Sequence, residues 1–203
     1  MTIWSSISRS EEADGTIGDV MPTGPEWLAA KYGIEPAELA RRVFRALNEA
    51  AKTVDAARAL ANFLIQAAEQ GAAPKPHLIT NGFRITFGAV VLTLRRFEDD
   101  WSRYIVHLMQ KNQRPAEAAS LFKDIKDHKI RDAANLLVAH SAPDNAAPLS
   151  TPERLQIIID AGWKTEEDLV AWYPSVALRL MAVRDAIRSA WPGAEAGAAA
   201  VQI

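Results

Sequence analysis

Phe83-Arg84-Ile85-Thr86-Phe87-Gly88-Ala89-Val90-Val91-Leu92-Thr93-Leu94-Arg95-Arg96-Phe97-Glu98-Asp99-Asp100-Trp101-Ser102-Arg103-Tyr104-Ile105-Val106-His107-Leu108 places Phe83, Phe87, Val90, Leu94, Phe97, Trp101, Tyr104 and Leu108 at steps of 4-3-4-3-4-3-4. Steps of three and four keep an apolar row on one face of a helix for roughly seven turns. The outer face carries Arg95/Asp99, Arg96/Asp100 and Asp99/Arg103 four residues apart. Such pairs contribute only about 0.2–0.5 kcal/mol each, so this helix is expected to form by burying its seam. A seam of that length needs partner helices.

The flanking sequence supplies them. Upstream, a helix is expected from Pro36 to about Gln70, with Leu47, Ala50, Val54, Ala57, Ala61, Leu64 and Ala68 as a narrow stripe. Gly71 and Ala72-Ala73-Pro74-Lys75-Pro76 end it. A shorter helix before it stops at Gly33, and Pro36 is the first residue of the next. Downstream, Lys111-Asn112-Gln113 closes the seam helix, and Pro115 opens a fourth helix that is expected to run to about His140. After the loop Ser141 to Ser150, Thr151 reads as an N-cap with Pro152 at the first helical position. That helix reaches Ala161 and breaks at Gly162. Thr165-Glu166-Glu167-Asp168 starts another, interrupted by Pro174, and Val176, Leu180, Val183, Ile187 and Trp191 form the last stripe. No strand pattern and no internal repeat is visible.

The expected architecture is all-α, an up-and-down bundle of about four long helices with a short N-terminal helical hairpin. Residues 1–24 read as a flexible arm in which Trp4 is the one docking candidate, 25–192 as the bundle domain with the hairpin at 25–45, and 193–203 as a disordered Gly/Ala tail.

Composition narrows the function classes. The 203 residues suffice for one good core. A net charge of −2 gives no global field toward nucleic acid, so RNA or DNA binding would need a local basic patch. There is no cysteine, which excludes disulfides, thiolate metal sites and cysteine nucleophiles and suits a reducing compartment. No apolar run approaches the roughly 20 residues of a membrane span, and residues 1–24 lack a signal-peptide pattern. A soluble cytoplasmic protein is expected. His77, His107, His128 and His140 are scattered without metal-ligand spacing, so no metal is expected; His128 with Asp127 and Asp132 is the nearest approach to a cluster. No phosphate-binding glycine loop and no nucleophile elbow occurs, and no cofactor is expected.

The segment with most chemical promise is Lys129-Ile130-Arg131-Asp132-Ala133-Ala134-Asn135-Leu136-Leu137-Val138-Ala139-His140-Ser141. Metal-free RNA cleavage needs a base for the ribose 2′-hydroxyl and a cation for the phosphate, and His and Arg supply these. A His at a helix C-terminus is also a common cap for the last carbonyls. Eight residues separate Arg131 from His140, which puts them on opposite faces of an unbroken helix. Asn135 stands closer but carries no charge.

Arg131-Asp132 followed by Val138-Ala139-His140-Ser141, the Ala89 to Asp99 helix, and the Leu149-Ser150-Thr151-Pro152-Glu153-Arg154-Leu155 restart together resemble the HEPN superfamily. The likeness is to its abortive-infection type U group and covers roughly residues 45–190. The resemblance implies a bacterial defence or toxin protein that commonly dimerises. It further implies metal-independent endoribonuclease chemistry yielding a 2′,3′-cyclic phosphate. His140 would then be the acid/base or phosphate ligand, Arg131 the cation and Asn135 a polar helper, with Arg95, Arg96 and Arg103 as nucleic-acid-binding candidates to substitute for the cation. The spacing from Arg131 to His140 is longer than the family's pattern, which also fits a degenerate site.

A second class of reading is a non-catalytic interaction module. Leu28 to Val43 has the layout of a helix-turn-helix, with Ala29, the Gly33 turn, and apolar Leu28, Tyr32, Ile34 and Leu39. Arg41, Arg42 and Arg45 could then meet DNA phosphates. Arg42 at a position that wants an apolar residue, and Glu35 and Glu38 on the recognition side, argue for a plain packing hairpin instead. Trp163, Trp172, Tyr173 and Trp191 are read as core. The seam, or the Ala-rich helix before it, could serve a homo-oligomer.

Overall fold

The computed structural model describes residues 24–70, 76–139, 150–163 and 165–196. The helices are α1 (Pro25–Tyr32), α2 (Pro36–Glu69), α3 (Pro76–Asp100), α4 (Val106–Leu108), α5 (Ala116–Asp127), α6 (Ile130–Ala139), α7 (Thr151–Asp160) and α8 (Glu166–Ala190). A π-helical turn, Trp101–Ile105, joins α3 to α4, and a 3-10 turn spans Lys111–Gln113. No strand occurs among the described residues, and the chain is all-α. Trp4 and the rest of residues 1–23, residues 197–203 of the expected tail, and His140 with 141–149 of the following loop lie outside the described residues.

Local chemistry explains most boundaries. Gly33 closes α1 in the left-handed conformation (φ 64°), donating its N–H to Ala29 O at 2.8 Å; glycine takes this backbone without a Cβ penalty. Pro36 then starts α2, where its missing N–H is not needed. At α7 the cap is Ser150, one residue before the expected Thr151. Its side chain and backbone N–H both engage Glu153, a reciprocal box that satisfies end donors. Thr165 caps α8 by accepting from the Asp168 N–H at 3.1 Å.

The longest helices are α2, α3 and α8. α2 packs chiefly on α8 and α3, α3 also on α6, and α5 on α8. α2 and α3 run antiparallel, with Leu64 against Gly82, where a Cβ would lie 2.3 Å from Leu64 Cδ1. α2 and α8 also run antiparallel: Arg184 lies over the Phe44 ring and donates to Asn48 at 3.0 Å. Val54, Ala61, Val90, Leu94, Val176, Leu180, Val183 and Ile187 are completely buried. Each fully buried Val, Leu or Ile contributes about 1.5–3 kcal/mol as an upper figure.

Three expectations are corrected. The helix from Pro115 toward His140 is two helices, turned at His128 and Lys129, with Lys129 at φ 47°. No glycine or proline marks this break. His128 is held from outside: its ring stacks on Trp163 at 4.1 Å and 16°, and Nδ1 lies 2.8 Å from Ala161 O. Conversely, Pro174 does not interrupt α8, which is continuous from Glu166 to Ala190. Leu169, Val170, Tyr173, Val176 and Ala177 on both sides are buried, and that burial outweighs the lost hydrogen bond. Finally, the seam shifts by one residue at the π-helical turn. Phe83, Phe87, Val90, Leu94 and Phe97 are buried as expected, but Ile105 replaces Tyr104 as the fully buried residue before Leu108. A π turn inserts one extra residue per turn, which moves the apolar row by one position.

Candidate functional site

Arg131 projects from the first turn of α6 and reaches α3. Its Nε and Nη2 each lie 2.7 Å from an oxygen of Glu98. Glu98 also accepts from Arg95 Nη1 at 3.1 Å, and Arg95 Nη2 lies 3.5 Å from Asp99. The Glu98 side chain is only 14% exposed, so one shielded carboxylate gathers two guanidinium groups. The hydrogen bond to Glu98 raises the Arg131 pKa, which fixes the cation there. A bidentate grip of this kind occupies the donors that a phosphate would need. The Arg95/Asp99 pair is legible in the sequence, whereas the role of Glu98 is not, because its main partner is 33 residues away.

Asn135 is exposed one turn further along α6. His140, the expected acid/base, lies outside the described residues. Arg96 and Arg103 are exposed on α3 and the π turn. They act on Asp100 as nearby charges that lower its pKa, but burial raises it more, and the net shift is upward. Arg131, Lys126, Lys129 and Asp132 border a concavity of about 380 Å³ over Phe122 and Ile125.

The N-terminal hairpin places its cations differently from a DNA reader. Arg41 and Arg42 both turn onto Glu38, at 2.9 and 3.0 Å. The hydrogen bonds from Arg42 and Arg41 hold the Glu38 carboxyl below its usual range. Arg45 is exposed and lines a groove between α2 and α3. Leu28 is fully buried, and Tyr32 packs edge-on against Tyr104 at 5.3 Å. The hairpin is thus anchored to the bundle by its apolar face. The start of α2, the expected recognition helix, is the first turn of a core helix.

The aromatic residues of the C-terminal third form a cluster around His128. Trp163 lies between His128 and Phe87, and Trp172 meets both His128 and Trp163. Trp172 Nε1 donates to Asp124 at 2.8 Å, and Arg179 Nη1 reaches the same oxygen at 2.5 Å. Trp163 and Tyr173 are buried, as a core reading expects. Burial pushes the Tyr173 hydroxyl up to about 12, with a weak opposing contact from Tyr173 to Thr86 Oγ1 at 3.5 Å. Among the described residues, no group of three or more His, Cys, Asp or Glu could hold a metal ion. No helix searched is long and apolar enough to cross a membrane.

Compared with known proteins, the chain matches no family model, no curated protein and no solved structure.

Proposed function

We propose that this chain is a non-catalytic helical interaction module that pairs with a second copy of itself through the α2–α3 face. One observation carries the reading: Leu60 and Phe63 on α2, and Ile85 and Leu92 on α3, are large apolar side chains left exposed, Phe63 by 62%. Helical spacing gathers them. Ala46, Thr53 and Leu60 fall seven residues apart on α2, and Ala46 and Thr53 line the groove against α3. Arg96 lines its other wall, and Leu92 and Ile85 lie four and eleven residues before it on α3. The Leu64–Gly82 approach sets these two rows side by side. The opposite end of the groove carries Arg45, Glu49, Arg96 and Asp100, both signs on one surface. A two-fold pairing places each residue against its counterpart's neighbours, so a mixed-charge surface can complement itself.

A second reading, RNA contact with or without cleavage, is favoured by Lys126 and Lys129 beside Arg131 at the concavity over Phe122. It requires Arg131 to leave Glu98 or to act through a second cation.

The experiments are sedimentation equilibrium on the wild type and Phe63→Glu, and incubation of both, with His140→Ala, on mixed-sequence RNA in EDTA. A dimer that Phe63→Glu converts to a folded monomer, with no RNA cleaved, is the expected result. A wild type that stays monomeric at all concentrations refutes the pairing. RNA cleavage that disappears in His140→Ala refutes the non-catalytic part and restores the ribonuclease reading.

A further inference from the structure

At the end of the molecule where α1, α4 and the C-terminus of α8 meet, a pocket of about 580 Å³ opens. Its volume is in the range of small-molecule sites. Three basic side chains line it: His107, Lys111 and Arg114. Among the described residues, no carboxylate does. Arg41, Arg95, Arg131, Arg179 and Arg188 each meet an Asp or Glu. Arg114 does not. Its Nη2 donates to Val106 O at 2.9 Å, and its Nε is buried without any hydrogen-bond partner. A buried guanidinium donor left unmatched is costly and keeps this cation short of acceptors at the pocket wall.

The surroundings select the ligand's chemistry. Gln110 and Gln113, also in the lining, are tied to each other by the cap of the 3-10 turn and hold Lys111 and Arg114 on a rigid frame. Lys31 adds charge nearby, standing over Trp27 at 4.4 Å, and Trp27 in turn packs on His107 at 4.8 Å. The remaining wall is apolar, built by Pro25, Leu108, Met109 and Trp191. Trp191 is fixed by its Nε1 donating to Leu108 O at 2.7 Å. The cationic side chains of Lys111 and Arg114 suit an anion of more than a single charge, and the indole and thioether in the lining suit an apolar body.

We infer that this pocket binds a small organic phosphate monoester, with the phosphate on the Arg114 guanidinium and Lys111 and the organic group against Met109 and Trp191. The site is separate from the α2–α3 face and from Arg131, and it stands whether or not the chain self-associates.

The test is calorimetric titration of the full chain with phenyl phosphate, inorganic phosphate and benzoate. Phenyl phosphate is expected to bind saturably and more tightly than either of the others, because only it presents both halves of the ligand. Arg114→Gln is expected to weaken it by about tenfold or more, the loss of one charge-assisted contact. Because Arg114 also braces Val106, a folding defect in that variant is separated by Lys111→Gln, whose side chain is exposed and which is expected to weaken binding several-fold. Lys126→Gln, on α5, is expected to leave it unchanged. Absence of saturable binding by either phosphate overturns the proposal. Tighter binding of benzoate, or unchanged affinity in Lys111→Gln and a folded Arg114→Gln, overturns it equally.

Discussion

Arg131 on α6 holds Glu98 on α3 in a two-pronged grip, with Nε and Nη2 each 2.7 Å from a carboxylate oxygen. The pair clasps α6 to the outer side of the seam helix and takes up the cation that RNA cleavage would recruit. The Arg131 side chain is well exposed, which limits the energy of the pair. A double-mutant cycle with Arg131→Gln and Glu98→Gln, read by urea unfolding, is expected to give a coupling of about 0.2–1 kcal/mol. A coupling of zero would mean that the grip does not persist in solution.

Lys129 carries a left-handed backbone, φ 47°, at the turn between α5 and α6. For an L-residue other than glycine this conformation costs roughly 1–2 kcal/mol. Lys129→Gly removes that cost but loosens the unfolded chain, which returns part of the gain. A net stabilisation of up to about 1 kcal/mol is expected from thermal unfolding. A fall in Tm would show that Lys129 contributes more through its side chain than its backbone loses.

His107 holds its proton more weakly than an ordinary histidine, first through burial and then through the positive charges of Arg114 and Lys31. The unfolded chain therefore binds more protons than the folded one as the pH falls below the ordinary value of 6.5. The stability linked to this group is complete above that value and is lost as the pH falls through it toward the folded pKa. Urea midpoints at about pH 7.5 and about pH 5.5 should show the wild type losing more stability than His107→Gln. Equal losses would remove His107 as the source.

Tyr173 behaves in the opposite sense. Its hydroxyl is raised to about 12, so the folded chain keeps a proton that the unfolded chain loses near the usual tyrosine value of 10. Stability linked to Tyr173 is complete below 10 and declines as the pH rises toward 12. Tyr173→Phe loses only the long contact to Thr86 and is expected to cost under about 1 kcal/mol at neutral pH. It should also blunt the alkaline loss of stability expected of the wild type. Alkaline midpoints that coincide in the two proteins would exclude this account.

Much of the fold was legible in the order of residues because helix formation is local. The 4-3 spacing from Phe83 to Phe97 marks a buried face whatever it packs against, and Gly33 and Pro36 mark a stop and a start that depend only on their own backbones. The candidate site was less legible. Arg131 stands out by its chemistry, yet its use is set by Glu98, and nothing in the sequence marks Arg114, whose Nε becomes buried and unmatched only in the folded chain.

By itself, then, the sequence determined an all-α chain, its principal apolar stripes and the short N-terminal helix that ends at Gly33. Tertiary structure decided where helices break without glycine or proline and where they continue despite one. The turn at His128 and Lys129 depends on Trp163 and Ala161 O, and α8 passes through Pro174 because its neighbours are buried. The physical reason is range. Periodicity and caps act over a few residues, whereas a stacked ring or a shared carboxylate joins residues tens of positions apart and exists only once the helices have packed.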